Sequence, residues 1–144
     1  MVYKAESIRE RLKLLEEVIS RLGRHRGRTL EEYSHDQDLQ WIVERGFILA
    51  AECVADAAAH ILSGKFKIQP ADQEDAIRRL APAGVISNEL AEALSGMGGF
   101  RNILVHAYLR IDPAKVHHYL ENDLDHLQDF VAEVARWLSR DTTV

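Results

Sequence analysis

Apolar side chains return every three or four residues along nearly the whole of this chain, a rhythm that admits little besides amphipathic α-helices. Ile8, Leu12, Leu15, Ile19 and Leu22 form the first stripe, predicting a helix from about Lys4 to Leu22 that Gly23 stops. A basic loop follows, Gly23-Arg24-His25-Arg26-Gly27-Arg28. Thr29-Leu30-Glu31-Glu32 then reads as a capping box opening a second, long helix that reaches Ser63, with Gly64 as its stop. Its expected buried face is Leu39, Ile42, Val43, Gly46, Leu49, Ala50, Cys53, Val54, Ala57 and Ile61. Alanines at 50, 51, 55, 57, 58 and 59 would let a neighbouring helix come close.

Beyond a linker from Lys65 to Pro70, Asp72 is placed to cap a short helix carrying Ile77 and Leu80. Ser87 opens another, Asn88 to Met97, closed by Gly98-Gly99. A helix from Phe100 to Leu109 comes next. Asp112-Pro113 is a cap followed by proline at the first helical position. From there Val116, Leu120, Leu124, Leu127, Val131, Val134 and Leu138 run down one side of a final helix. The expectation is a single domain over 1–144: all-α, an up-down bundle of four main helices plus short ones.

The remaining bulk features bound the class. Hydrophobic residues make up 47% and charged residues 28%, a globular balance rather than a disordered one. The longest apolar run, Cys53 to Ile61, is interrupted by Asp56 and His60, so no membrane span is expected. Met1-Val2-Tyr3-Lys4-Ala5-Glu6 leads directly into an amphipathic pattern rather than a secretory signal. Cys53 is the sole cysteine, which excludes an internal disulfide and fits a reducing compartment, so a cytoplasmic protein is expected. A net charge of −5 argues against a non-specific polyelectrolyte binder. It leaves room for a local basic groove, and Arg21, Arg24, Arg26 and Arg28, with His25 among them, are the candidate patch.

Chemistry concentrates in Phe100-Arg101-Asn102-Ile103-Leu104-Val105-His106-Ala107-Tyr108. Asn102 and His106, four apart, share a helical face, whereas Arg101 and His106 lie about 140° apart by the 100° helical step. A long arginine side chain could still swing toward the imidazole, and Gly98-Gly99 would let a backbone or phosphate approach. Histidine suits proton transfer near neutrality, and a guanidinium fork suits a phosphate. Metal-free chemistry at a phosphodiester needs a base for the attacking group, a cation at the phosphate, and an acid for the leaving oxygen. One Arg and one His are too few; two copies across a two-fold axis supply two of each.

The pattern Arg101-Asn102-x-x-x-His106-x-Tyr108, preceded by Gly96-Met97-Gly98-Gly99 and followed by Ile111-Asp112-Pro113, resembles the HEPN superfamily and, more narrowly, the HepT-like toxins. Arg78-Arg79-Leu80-Ala81-Pro82-Ala83-Gly84, and the stretch from Glu44-Arg45 through Asp56 to Ala59-His60-Ile61, extend the likeness over most of the chain. The resemblance implies a homodimeric, metal-independent endoribonuclease toxin of a type VII-like toxin–antitoxin pair, needing no cofactor. Arg101 and His106 match its catalytic pair, and Asn102 matches the polar residue between them. Tyr108 matches the tyrosine that an MntA-like nucleotidyltransferase antitoxin adenylylates to silence the toxin.

Blander readings apply residue by residue. Arg101 also fits a helix-end ion pair, His106 a partly buried core histidine, Asn102 a helix cap, and Tyr108 a packed ring with a wet hydroxyl. Asp56 and His60, four apart, read as a helix-surface hydrogen bond before a metal pair. Arg24, Arg26 and Arg28 also fit a solvated loop, and His117-His118 a solvated pair. Trp41, Phe47, Phe130 and Trp137 read as core or interface aromatics. A rival for the whole chain is a non-catalytic helical partner or nucleotide-binding subunit of a nucleotidyltransferase; another is a structural dimer.

Overall fold

The computed structural model describes residues 2–141; Met1 and residues 142–144 of the expected domain lie outside the described residues. Eight α-helices and one 3-10 turn occur among them: α1 (Ala5–Gly23), α2 (Leu30–Ser34), α3 (Gln37–Lys65), α4 (Gln73–Arg79), α5 (Asn88–Ala93), α6 (Met97–His106), the turn Tyr108–Arg110, α7 (Pro113–Asn122) and α8 (Leu124–Arg140). The all-α up-down bundle read from the stripes is the observed architecture.

α3 is its axis. Val43, Phe47, Ala50, Ala51, Val54, Ala55, Ala57, Ala58, Ile61 and Leu62 are all buried, a set that covers more than one face of the helix. By composition α3 is long and apolar enough to cross a membrane, with mean hydropathy 1.4 in its most apolar stretch. Here 56% of that stretch is buried inside the bundle, the behaviour of a core helix.

α1 runs antiparallel to α3. At one end Leu22 sits against Gly46; at the other Tyr3 packs on Gly64 and stacks on His60, ring centroids 5.9 Å apart. The Lys4 amide, which opens α1 with no side-chain cap, donates to His60 Nε2 at 3.0 Å. His60 therefore bonds to the start of α1, and no hydrogen bond to Asp56 is formed. α8 runs antiparallel to α1 in turn, and at the shared end of α3 and α8 Phe66 faces Trp137 and Lys65 pairs with Asp141 at 3.1 Å.

The boundaries differ from expectation where side chains compete for the backbone. The capping box forms, Glu32 N donating to Thr29 Oγ1 and Thr29 N to Glu32 Oε1, but it opens only the five-residue α2. Asp36 then caps a separate α3, its Oδ1 accepting from Leu39 N, and Gln40 Nε2 donates to the Tyr33 and Ser34 carbonyls that end α2. Gly64 lies inside α3 rather than after it; its missing side chain makes room for Tyr3.

The final helix is likewise two. Every residue of the expected stripe, Val116 through Leu138, is buried, yet the helix breaks at Asp123. The Leu120 carbonyl, which an unbroken helix would give to the amide of Leu124, instead accepts from Arg26 Nε at 2.9 Å. The His118 carbonyl takes Asn122 Nδ2 at 2.9 Å. His117 is not a solvated residue: Nε2 lies 2.7 Å from the Arg28 carbonyl and its ring faces Tyr33.

Of the four aromatics expected in the core or an interface, one is excluded from the core, and one apolar expectation shifts. Phe47 and Phe130 are core and Trp137 packs against its edge, but Trp41 is 64% exposed. Ile42, expected in the core, is 53% exposed, because with Leu14 and Trp41 it lines an open groove between α1 and α3 that no other element among the described residues covers.

The Leu22–Gly46 contact is the tightest point of the α1–α3 seam: a Cβ at position 46 would lie 2.5 Å from Leu22 Cδ2, and Leu22 is buried. Alanine gains up to about 1 kcal/mol in helix propensity over glycine, while overpacking costs about 1–3 kcal/mol. Gly46→Ala is expected to be a net loss, lowering the melting temperature by several degrees in a thermal unfolding scan; an unchanged or higher value would show that Leu22 yields freely.

Candidate active site

α6 is placed by its apolar side. Phe100 meets Tyr119 at 4.5 Å and Phe47 edge-on at 5.7 Å, and Leu104, one turn on, is buried. Anchoring 100 and 104 inward leaves 102 and 106 outward. Asn102 and His106 are both exposed.

α6 begins at Met97, not Phe100, so Gly98 and Gly99 belong to its first turn and Arg101 to its second. Gly96 supplies the left-handed start, φ +90°. Gly98 admits a carboxylate, whereas Gly99 faces open space. Gly96 N and Gly98 N donate to the two oxygens of Glu74 at 2.6 and 2.9 Å, and a Cβ on Gly98 would lie 3.1 Å from Glu74 itself. Glu74 thus fills the anion position that a helix N-terminus offers.

Arg101 is held toward α3. Its Nε donates to Glu52 Oε1 at 2.6 Å, and Nη1 donates to Asn102 Oδ1 at 3.2 Å. Gln73 of α4 donates from Nε2 to the same Glu52 oxygen at 3.3 Å. The side chains of Arg101 and Glu52 are 22% and 34% exposed, so the pair is neither a solvated surface contact nor a sealed one. Freezing an arginine costs about 2 kcal/mol of rotamer entropy, and the fold has met that cost before any ligand arrives. Asn102 is no cap: it lies mid-helix and accepts from Arg101.

His106 is the last residue of α6, about 7.5 Å along the axis from Arg101 at 1.5 Å per residue. Among the described residues it has no hydrogen-bond partner, so its ring is open to a ligand. The arginine does not swing toward it within one chain; Glu52 holds the guanidinium on the α3–α4 flank. Tyr108 lies past the helix end in the 3-10 turn, 69% exposed, beside Leu109 at 90%. Its hydroxyl is therefore accessible.

Arg101 and Asn102 border an open groove with Asp72, Glu74, Gly98 and Gly99. The basic loop is engaged elsewhere. Arg26 serves the Leu120 carbonyl and pairs with Asp125 at 3.8 Å, while Gly27 N donates to Glu121. Arg28 donates to the His25 carbonyl but, like Arg24, is exposed. Sequence reasoning missed Glu52, Gln73 and Glu74. The one available signal was Glu52 itself, a carboxylate inside the otherwise apolar Ala50-Ala51-Glu52-Cys53-Val54-Ala55.

A helical bundle that presents Arg-Asn-x-x-x-His-x-Tyr from a short, half-exposed helix and the turn after it defines a HEPN-like domain. The family described as Ribonuclease HepT-like matches residues 8–134, and the chain belongs to it. It is 28% identical over 131 residues to the tRNA nuclease HepT of Aphanizomenon flos-aquae strain 2012/KM1/D3, covering 91% of this chain and 89% of that one. In structure it is similar to the tri-AMPylated HEPN toxin of Shewanella oneidensis in complex with its MNT antitoxin, with TM-score 0.81, 25% identity, and 90% and 96% of the two chains covered. The cytosolic protein YutE of Bacillus subtilis, of unknown function, shares the fold at TM-score 0.84 and 19% identity over 99% and 96% of the two chains.

Glu74 fastens the start of α6 through two charge-assisted bonds, each of a kind worth about 1.5–3 kcal/mol where solvent is excluded and less at this partly exposed site. Glu74→Ala is expected to speed hydrogen exchange of the amides from Gly96 to Phe100 by at least tenfold, read by NMR. Unchanged exchange there would mean that the apolar anchors alone order this turn.

Proposed function

We propose that this chain is the ribonuclease toxin of a toxin–antitoxin pair, acting in the cytoplasm as a homodimer and silenced by adenylylation of Tyr108. The observation that carries the reading is the disposition of α6: a pre-set guanidinium, an exposed imidazole five residues on with no hydrogen-bond partner among the described residues, and an exposed tyrosine two further. Family membership and the relative named a tRNA nuclease support RNA as substrate. The similar HEPN toxin, AMPylated and complexed with an MNT antitoxin, supports the partner and the modification.

Arg101 and His106 of one copy are set apart, which is why two copies are needed. In the dimer one His106 takes the proton from a ribose 2′-hydroxyl, whose oxygen attacks phosphorus. The P–O5′ bond breaks, and the other His106 gives its proton to O5′, leaving a 2′,3′-cyclic phosphate. Arg101 binds the phosphate oxygens as charge gathers on them, and Asn102 steadies the guanidinium. Arg24 and Arg28 are secondary RNA contacts; Arg26, committed to the Leu120 carbonyl, contributes least.

In silencing, a minimal nucleotidyltransferase of the MntA kind directs the Tyr108 hydroxyl onto the α-phosphorus of ATP, forming a Tyr–O–P bond and releasing pyrophosphate. The added nucleotide brings bulk and negative charge to the site, so RNA is excluded sterically and by charge.

His106→Ala is expected to lower the cleavage rate by about 10²–10⁴-fold and to relieve growth arrest on expression. Tyr108→Phe is expected to keep cleavage and gain no AMP increments in intact mass when produced with the antitoxin. A wild-type chain that leaves RNA intact, or arrest that persists in His106→Ala, would sink the proposal.

A further inference from the structure

A guanidinium offers its donors in one plane, so its use at a phosphate depends on which nitrogens are committed and how that plane is held. In Arg101, Nε is committed to Glu52 and Nη1 is shared with Asn102. Nη2 has no partner among the described residues. The holding carboxylate comes from the central helix α3, and it is itself fixed by Gln73 Nε2 from α4.

The fold has little need of this contact. α6 is already fastened by Phe100, Leu104 and the Glu74 bonds to Gly96 and Gly98. A half-buried carboxylate in an alanine-rich, core-facing stretch carries a desolvation penalty, and an apolar residue would pack there more cheaply. Glu52 also closes off the Nε side of the guanidinium, leaving its outer end to face the groove bordered by Asn102 and Gly99.

We propose that Glu52 is a positioning residue for RNA cleavage: it fixes the plane of Arg101 so that the terminal nitrogens meet the scissile phosphate, with Gln73 holding the carboxylate in register. The role rests on the ribonuclease function proposed above. Glu52 touches no reacting atom and acts through Arg101 alone.

The test compares Glu52→Ala, Glu52→Gln, Arg101→Ala and the double variant Glu52→Ala/Arg101→Ala on an RNA oligonucleotide, with melting temperatures measured alongside. Loss of orientation without loss of the cation is expected to lower kcat by about 10- to 100-fold while KM moves less than about threefold. Glu52→Gln keeps an acceptor oxygen for Nε and is expected to recover part of the rate. In the Arg101→Ala background, Glu52→Ala is expected to cost nothing further. Independently of turnover, the Arg101 Nε–Hε proton is expected to exchange slowly in the wild-type NMR spectrum and fast in Glu52→Ala.

A wild-type chain that cleaves no RNA overturns the ribonuclease reading and this role with it. A wild-type chain that cleaves, beside a Glu52→Ala variant with unchanged kcat, overturns the positioning role only. So do additive losses in the double variant, an Nε–Hε proton that exchanges fast in the wild type, or a rate deficit that merely follows the unfolded fraction.

Discussion

A helix enclosed on several sides has little solvent face to spare, and α3 is enclosed that way. A polar group on its enclosed flanks is costly unless it is paired. Glu52 meets Arg101 and Gln73; His60 receives the amide of Lys4. Burial and the nearby Arg11 hold the His60 imidazole below its ordinary pKa, in keeping with a ring that accepts rather than donates. The His60 contact adds to the register that the apolar seam at Leu22 and Gly46 sets between α1 and α3.

Much of the fold was legible because its signals are local. Thr29, Asp72, Ser87 and Asp112 each accept the backbone hydrogen bond expected of a helix cap. The stripe from Val116 to Leu138 is buried throughout, since a one-residue interruption hardly alters its phase. The interruption itself was not legible. It depends on Arg26 reaching the carbonyl of a residue 94 positions away, and no window of periodicity contains both partners. Asp36 was missed for a different reason: the apolar pattern after it runs back toward Thr29 without a glycine or proline to mark a stop.

The candidate site divides along the same line. Arg101, Asn102, His106 and Tyr108 lie within eight residues and stand out as a motif. The groups that determine what Arg101 and the glycines do are Glu52, 49 residues before the arginine, and Glu74, 24 before Gly98. A glycine pair ahead of a basic residue looks the same in sequence whether it receives a phosphate or a carboxylate of its own chain. The fold gives Gly98 to the carboxylate and leaves Gly99 open.

The carboxylate of Glu74 at the start of α6 reaches further than local order. With that positive helix end already satisfied, and with Arg101 partly balanced by Glu52, the site offers an incoming RNA little uncompensated positive charge. Few counterions would be displaced on association, so for a ribonuclease of this build affinity should fall only gently as salt rises. Long-range attraction would then contribute little to the choice among RNAs.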